Sequence, residues 1–128
     1  MKFFDNPILA TYNVAVADAS SGAVADRIQG PPGSRGLIVG LAAHLTTGVT
    51  TAADIFQIGN SSDDDAYGTF SVAVAAADAM DVASRTELGA LKLLPADTAI
   101  EFSNSGDSDA GAYDVDVIVA WERKFPRP

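Results

Sequence analysis

Residues 113–121 read Tyr-Asp-Val-Asp-Val-Ile-Val-Ala-Trp, and this stretch decides the fold of the chain. Side chains along a β-strand alternate between its two faces, so the odd-numbered residues share one face: Tyr113, Val115, Val117, Val119 and Trp121. The even-numbered residues, which include Asp114 and Asp116, lie on the other face. The pattern predicts a half-buried β-strand that carries Trp121 into the core.

A second alternating run, Thr98–Ser103, comes before this strand, and a loop of small and acidic residues joins the two. We expect the two runs to form an antiparallel hairpin that closes the fold. Further strand patterns occur in five segments: Thr11–Asp18, Val24–Gln29, Leu37–Thr47, Ile55–Ile58 and Phe70–Val74.

Breaker residues and ambiguous segments separate these strands. Gly30–Gly36 contains three Gly and two Pro residues and predicts a loop. The Ala-rich continuation to Ala79 and the segment Arg85–Leu94 fit a helix or a strand equally well. Short strands between Gly, Ser and Asp turns predict an all-β fold, an antiparallel β-sandwich of jelly-roll-like form with at most one short helix.

The length and composition indicate one domain without disulfides. The chain has 128 residues and no Cys, which fits a protein made in a reducing cytosol. We divide it into an N-terminal arm at residues 1–10, a β-sandwich domain at 11–122 and a C-terminal tail at 123–128. The first residues lack the apolar run of a secretory signal, and no stretch has the roughly 20 apolar residues of a membrane helix.

The charge balance restricts the expected partners. Seventeen acidic against eight basic residues give a net charge of −9, which repels phosphate backbones and anionic lipid. Neither nucleic acid nor a membrane is therefore an expected partner, and a basic protein surface is a better match.

The side chains that carry catalysis are scarce. His44 is the only histidine and lies inside a predicted apolar strand, where we expect a half-buried structural role. One His and no Cys leave too few ligands for a zinc site. Asp114 and Asp116 stand on the polar face of a strand and not across a cleft, so an acid–base pair is not expected. The sequence therefore predicts a protein that is not an enzyme, with no cofactor and no metal.

Two acidic loops resemble calcium loops without completing the pattern. Counted from Asp63, Gly68 is sixth, but Val74 occupies the twelfth position, where a bidentate Glu is required. Asp107 and Asp109 alternate between glycines but also lack a completing carboxylate. We expect solvated turns in both places.

The two ends of the chain carry aromatic and basic residues. Phe3 and Phe4 stand near the start, and Arg123 and Phe125 near the end. Frayed termini are one interpretation. The other is a pair of arms that dock on a neighbouring subunit, because exposed Phe is costly and aromatic residues are enriched at interfaces.

The order of several short segments resembles small structural proteins of tailed bacteriophages, of the capsid decoration (cement) or head-fibre type. These segments are Arg35–Val39, Leu45–Thr51, Phe56–Gly59, Asp64–Tyr67 and Leu94–Thr98 with the closing hairpin. The resemblance covers about Gly33 to Trp121, and the final loop is more acidic here than the Gly-rich loop usual in that group.

The resemblance implies a jelly-roll-like protein, made in the host cytoplasm, that sits on the capsid exterior of a virion. Its implied partners are the major capsid protein and itself, as a homodimer or homotrimer that bridges neighbouring capsid subunits. We expect the terminal arms and the Gly30–Gly36 loop to supply the contacts through Phe3, Phe4, Arg35, Arg123 and Phe125. Two alternatives stay open: a β-sandwich module that binds carbohydrate or calcium, and a phage tail or fibre component.

Overall fold

Nine strands and one short helix make up the part of the chain described by the computed structural model, residues 7–50, 52–95, 97–106 and 111–123. In chain order the elements are β1 (Ile8–Val16), β2 (Val24–Ile28), β3 (Ser34–Thr47), β4 (Asp54–Gly59), β5 (Gly68–Val72), β6 (Met80–Val82), α1 (Arg85–Gly89), β7 (Leu94–Pro95), β8 (Ile100–Asn104) and β9 (Ala112–Arg123). The prediction of an all-β fold with at most one short helix is confirmed for these residues. No helix among them is long and apolar enough to cross a lipid bilayer.

The strands form two antiparallel sheets. The first sheet has the order β1-β9-β3-β6, with β7 also paired to β3, and the second has the order β2-β8-β4-β5. Consecutive strands mostly belong to different sheets, so the chain passes back and forth between the two layers. β4 and β5 are an exception, because they pair as neighbours around the turn at residues 60–67.

One hydrophobic core lies between the layers, with side chains from both sheets. The odd-numbered residues of β9 from Tyr113 to Trp121 point into it and are at most 2% exposed, whereas Asp116 on the opposite face is exposed. The alternation predicted for this strand is therefore confirmed. The second sheet adds a stacked pair, Phe56 and Phe102, whose ring centroids are 5.6 Å apart.

Trp121 closes one end of the core, as its place in the pattern predicts. Its indole N–H donates to the hydroxyl of Tyr12 at 3.0 Å, so its polar atom has a partner while the ring is buried. The ring lies directly against the backbone of Gly30 and Gly36, where any Cβ would overlap it. These two glycines are required by the space that the indole occupies.

The predicted closing hairpin is wrong. β8 pairs with β2 and β4 in the second sheet, whereas β9 pairs with β1 and β3 in the first. The chain between them crosses from one layer to the other, and the side-chain amide of Asn104 donates to the carbonyl of Ala19 at 3.1 Å near this crossing. Local alternation identifies a strand but does not tell in which sheet it pairs.

The predicted Gly30–Gly36 loop is too long by three residues, because β3 already begins at Ser34. Ser34, Arg35 and Gly36 pair with the last residues of β9, from Arg123 to Trp121. Arg35 therefore stands on a strand and not in the expected loop. At the same end of the sheet, β1 begins at Ile8, so Ile8–Ala10 pair with β9 and are part of the first sheet.

Of the two segments whose sequence fits a helix or a strand equally well, one forms a helix and the other does not. Arg85–Gly89 forms α1, which begins with a capping box: the Ser84 hydroxyl accepts from the Glu87 amide, and the Glu87 carboxylate accepts from the Ser84 amide. The Ala-rich segment forms no helix. Its strand ends at Val72, and a single antiparallel bridge joins Ala75 to Val49.

We expect Gly36→Ala to lower the free energy of unfolding by roughly 1 to 3 kcal/mol, because the new methyl group would lie 2.7 Å from the Cζ3 atom of Trp121. Gly89→Ala is the matched control, since nothing lies within 4 Å of its added methyl group and Ala favours a helix. Urea denaturation measures both. Equal stability of the two variants would show that the indole does not constrain this glycine.

Candidate interaction surface

The outer face of the first sheet carries an apolar band. Residues directly opposite each other in an antiparallel pair share a face, and the register aligns Leu9 and Leu37 with Ala120, Thr11 and Gly40 with Ile118, and Ala42 with Val82. We define the outer band as six residues on this face: Leu9, Leu37, Val39, Met80, Val82 and Ile118. It crosses four strands of the sheet.

Four members of the outer band are substantially exposed: Leu9 (66%), Val82 (65%), Met80 (61%) and Val39 (43%). Val39 stands out from β3 at a register shift between Ile38 and Gly40. The outer face of an antiparallel sheet is usually polar, and contiguous exposed apolar surface marks interaction sites. The outer band is therefore the feature of this molecule best suited to contact another protein.

Polar groups flank the outer band on the same face. The Asn13 side-chain amide donates to the Asp116 carboxylate at 3.0 Å, and Asp114 lies opposite His44 in the register. The half-exposed side chain of His44 lies in β3 as expected, with its Nε2 atom 3.7 Å from the Asp78 carboxylate. The flank is thus mostly acidic and offers ion pairs to a basic partner.

Arg35, a predicted contact residue, lies near the other end of the outer face, opposite Glu122. Its guanidinium is 3.9 Å from the Glu122 carboxylate, at the limit of an ion pair. Arg35 also lines an open cleft of about 400 Å³ together with Ser34, Tyr67, Leu93, Leu94, Pro95 and Asp97. The cleft has apolar walls with one cation and one anion, which suits a side chain or short segment of a partner.

The remaining predicted contact residues lie at the chain ends. Phe3, Phe4 and Phe125 are outside the described residues. The backbone of Arg123 pairs with Ser34 at the end of β9, beside Arg35. The structure therefore places Arg123 and Arg35 on adjacent strands at one end of the first sheet.

Asp54 and Tyr113 form a buried polar pair that resembles an acid–base pair only in residue type. Asp54 is fully buried, and its carboxylate accepts from the hydroxyls of Tyr113 at 2.6 Å and Ser105 at 3.1 Å. Burial and the hydrogen bond to Asp54 raise the pKa of Tyr113 far above its usual value near 10. The pair is enclosed in the core and holds β4 against β9.

The acidic turn at Asp63–Asp65 closes the β4–β5 hairpin with all three side chains exposed. The Asp63 amide donates to the Asn60 side chain, and the Asp65 amide donates to the Asp63 carboxylate. Asp63 raises the pKa of Asp65, first through a side-chain hydrogen bond and then through its charge. In the described part of the chain no group of three or more His, Asp or Glu side chains is placed to hold a metal ion. Asp107 and Asp109 fall outside that part.

The outer band is not among the sites predicted from the sequence, although β9 contains a signal for it. Ile118 and Ala120 fall on the face that Asp114 and Asp116 mark as polar. Two apolar residues among the outward positions indicate a face that is not fully solvated. Their neighbours Leu9 and Leu37 become visible only when the register aligns β1 and β3 with β9.

We expect Tyr113→Phe to lower the free energy of unfolding by roughly 1 to 3 kcal/mol at pH 7, because the buried Asp54 carboxylate loses a donor. The difference in free energy of unfolding between this variant and the unaltered protein should shrink above pH 10. There the unfolded chain releases the Tyr113 proton while the folded chain keeps it, so the stability of the unaltered protein falls by up to about 1.4 kcal/mol per pH unit.

Urea denaturation at pH 7, 10 and 11 tests this expectation. Ser105→Ala is the control, since it removes the other hydroxyl bonded to Asp54 but carries no proton that titrates in this range. The difference in free energy of unfolding between Ser105→Ala and the unaltered protein should stay constant over these pH values. A constant difference for Tyr113→Phe as well would contradict the assigned role of the hydroxyl.

Comparison with known proteins gives no match: no family model, no curated protein and no solved structure matches this chain.

Proposed function

We propose that the protein is a non-enzymatic structural component of a virion that decorates and cements a phage capsid. In this role it binds the exterior of the shell and bridges neighbouring subunits of the major capsid protein. The order of sequence segments described above motivates this proposal.

The outer band is the observation that carries the proposal. It offers apolar contact area on the outer face of the first sheet, and its acidic flank matches a basic partner. Arg35 and its cleft add one cationic position at the same end of the sheet as Arg123. A fold class by itself does not determine a function, whereas an exposed apolar surface with an acidic flank limits the kind of partner that the protein can bind.

The strand order supports the jelly-roll form of the sandwich. Apart from β7, which also pairs with β3, each layer has four strands, in the orders β1-β9-β3-β6 and β2-β8-β4-β5. The first strand therefore lies beside the last, and the chain mostly alternates between the layers. Such double-sheet folds occur in viral capsid and lectin domains. The arrangement is compatible with a capsid-associated protein.

Cementing has a simple thermodynamic basis. A protein that binds the assembled shell but not its free subunits stabilises the shell by mass action. Contacts from Phe3, Phe4 and Phe125 in the chain ends would add aromatic anchors to those of the outer band. Each additional contact on one shell raises the effective concentration of the next.

Locating the protein in purified virus particles tests the proposed function. We expect mass spectrometry of the particles to detect it in many copies, and cryo-electron microscopy to show a two-layered density on the outside of the head. Density confined to the tail or its fibres would assign the alternative virion role. Absence of the protein from particles would refute both.

We expect Val39→Lys to weaken binding to head shells that lack the protein by at least about tenfold. The charge must be desolvated in the contact, and it would repel a basic partner. Val24→Lys is the matched control: Val24 is similarly exposed, at 37% against 43%, but lies in β2 of the second sheet. Co-sedimentation with shells measures both, and equal binding would exclude the outer band from the contact.

A further inference from the structure

We infer that the outer edge of β1 pairs antiparallel with β1 of a second copy, so that two sandwiches share one continuous sheet. β1 lies at the edge of the first sheet, and within the described residues its backbone pairs with β9 alone. The other edge of the strand carries unpaired backbone N–H and C=O groups. This inference concerns the isolated chain and does not depend on the proposed function.

β1 lacks three features that commonly protect an edge strand: a short length, charged or Pro residues, and a bulge. It is nine residues long and contains no charged residue and no Pro. Its register against β9 runs without a shift from Ile8 to Val16, so no bulge twists it away from a partner. Ile8 and Leu9 are 65% and 66% exposed, so the first two residues of β1 present apolar side chains to solvent. Long, unbroken and uncharged edges of this kind pair with other chains.

Other edges of the two sheets carry such devices. β2 has a register shift between Val24 and Asp26, and it also contains Arg27. β6 is three residues long with Asp81 at its centre, and β7 is two residues long and ends in Pro95. The contrast within one molecule indicates that β1 is left open for pairing.

β5 is the remaining edge, and it is short and partly covered. It has five residues. Leu91 packs over its first residue, Gly68, and the Asp81 carboxylate accepts from the amide of Ala73 directly after the strand. Little of its backbone is therefore open to a partner strand.

A second copy of the chain fits the β1 edge in its apolar pattern. Antiparallel pairing about a two-fold axis at Tyr12, the midpoint of β1, sets Ile8 of one copy opposite Val16 of the other, and Leu9 opposite Ala15. The exposed apolar residues at the start of each strand would then meet apolar residues at the end of its partner. The edge is thus complementary to itself.

The charge distribution also favours this arrangement. The chain has a net charge of −9, so two copies repel each other overall, and β1, which carries no charge, adds no local repulsion at the contact. The nearest carboxylates on the sheet, Asp114 and Asp116, are on β9. Across the paired edges the two β9 strands would be three strand spacings apart, about 14 Å, which exceeds the screening length of about 8 Å at physiological salt.

Sedimentation velocity and amide hydrogen exchange of the full chain test the inference. We expect a dimer, with every amide from Leu9 to Ala15 protected. In a monomer only alternate amides of β1 would be protected, because the others face away from β9. A monomer or a trimer at all concentrations would overturn the inference, as would a dimer in which alternate β1 amides exchange freely.

Charge variants at Thr11 identify the paired surface. Thr11 is exposed and lies one residue from the expected axis, so Thr11→Lys and Thr11→Asp each place like charges near each other across the edges. We expect each variant alone to dimerise more weakly, and an equimolar mixture to form a heterodimer about tenfold tighter than either homodimer. Thr69→Lys on β5, also exposed, is the control and should dimerise normally. Unchanged dimerisation of the Thr11 variants, or no gain on mixing, would place the dimer contact elsewhere.

Discussion

The burial of one face of β9 is the constraint on which the rest of this structure depends. β9 pairs with β1 on one side and β3 on the other, and its inward side chains run from Tyr113 to Trp121 across the core. Tyr113 satisfies the buried Asp54, whereas Trp121 fills the space above two glycines and bonds to Tyr12. A one-residue slip of this strand would put Asp114 and Asp116 into the core, so its register is fixed by both ends.

Local features of the fold could be predicted from the sequence, and non-local ones could not. The alternation of β9 and the burial of Trp121 follow from neighbouring residues. Ser84 and Glu87 also have the spacing of a capping box, which indicates a helix start, although residue propensities alone do not decide between helix and strand in this segment. The pairing of β8 with β4, in place of β9, depends on residues far apart in the chain. The outer band was missed for the same reason, since it exists only when four strands are aligned.

The outer band and the unpaired edge of β1 meet at Leu9. This residue belongs to the outer band through its side chain and to the unpaired edge through its backbone. Pairing of two β1 strands would place two outer bands on one face of a continuous sheet, related by the two-fold axis. A partner lattice would then meet two equivalent surfaces held at a fixed spacing, which favours simultaneous attachment over a single contact.

The pairing of β1 with β9 has a consequence during synthesis on the ribosome. Ile8 is opposite Trp121, so the first sheet cannot form until nearly all of the described chain has been translated. Such long-range pairing slows folding, because the chain must lose the entropy of closing a large loop before the contacts between β1 and β9 can stabilise it. Until then the uncharged β1 segment lacks its partner strand β9, and nascent chains on one polysome are exposed to each other. Early association through this segment would compete with correct folding, and slow translation would lengthen that window.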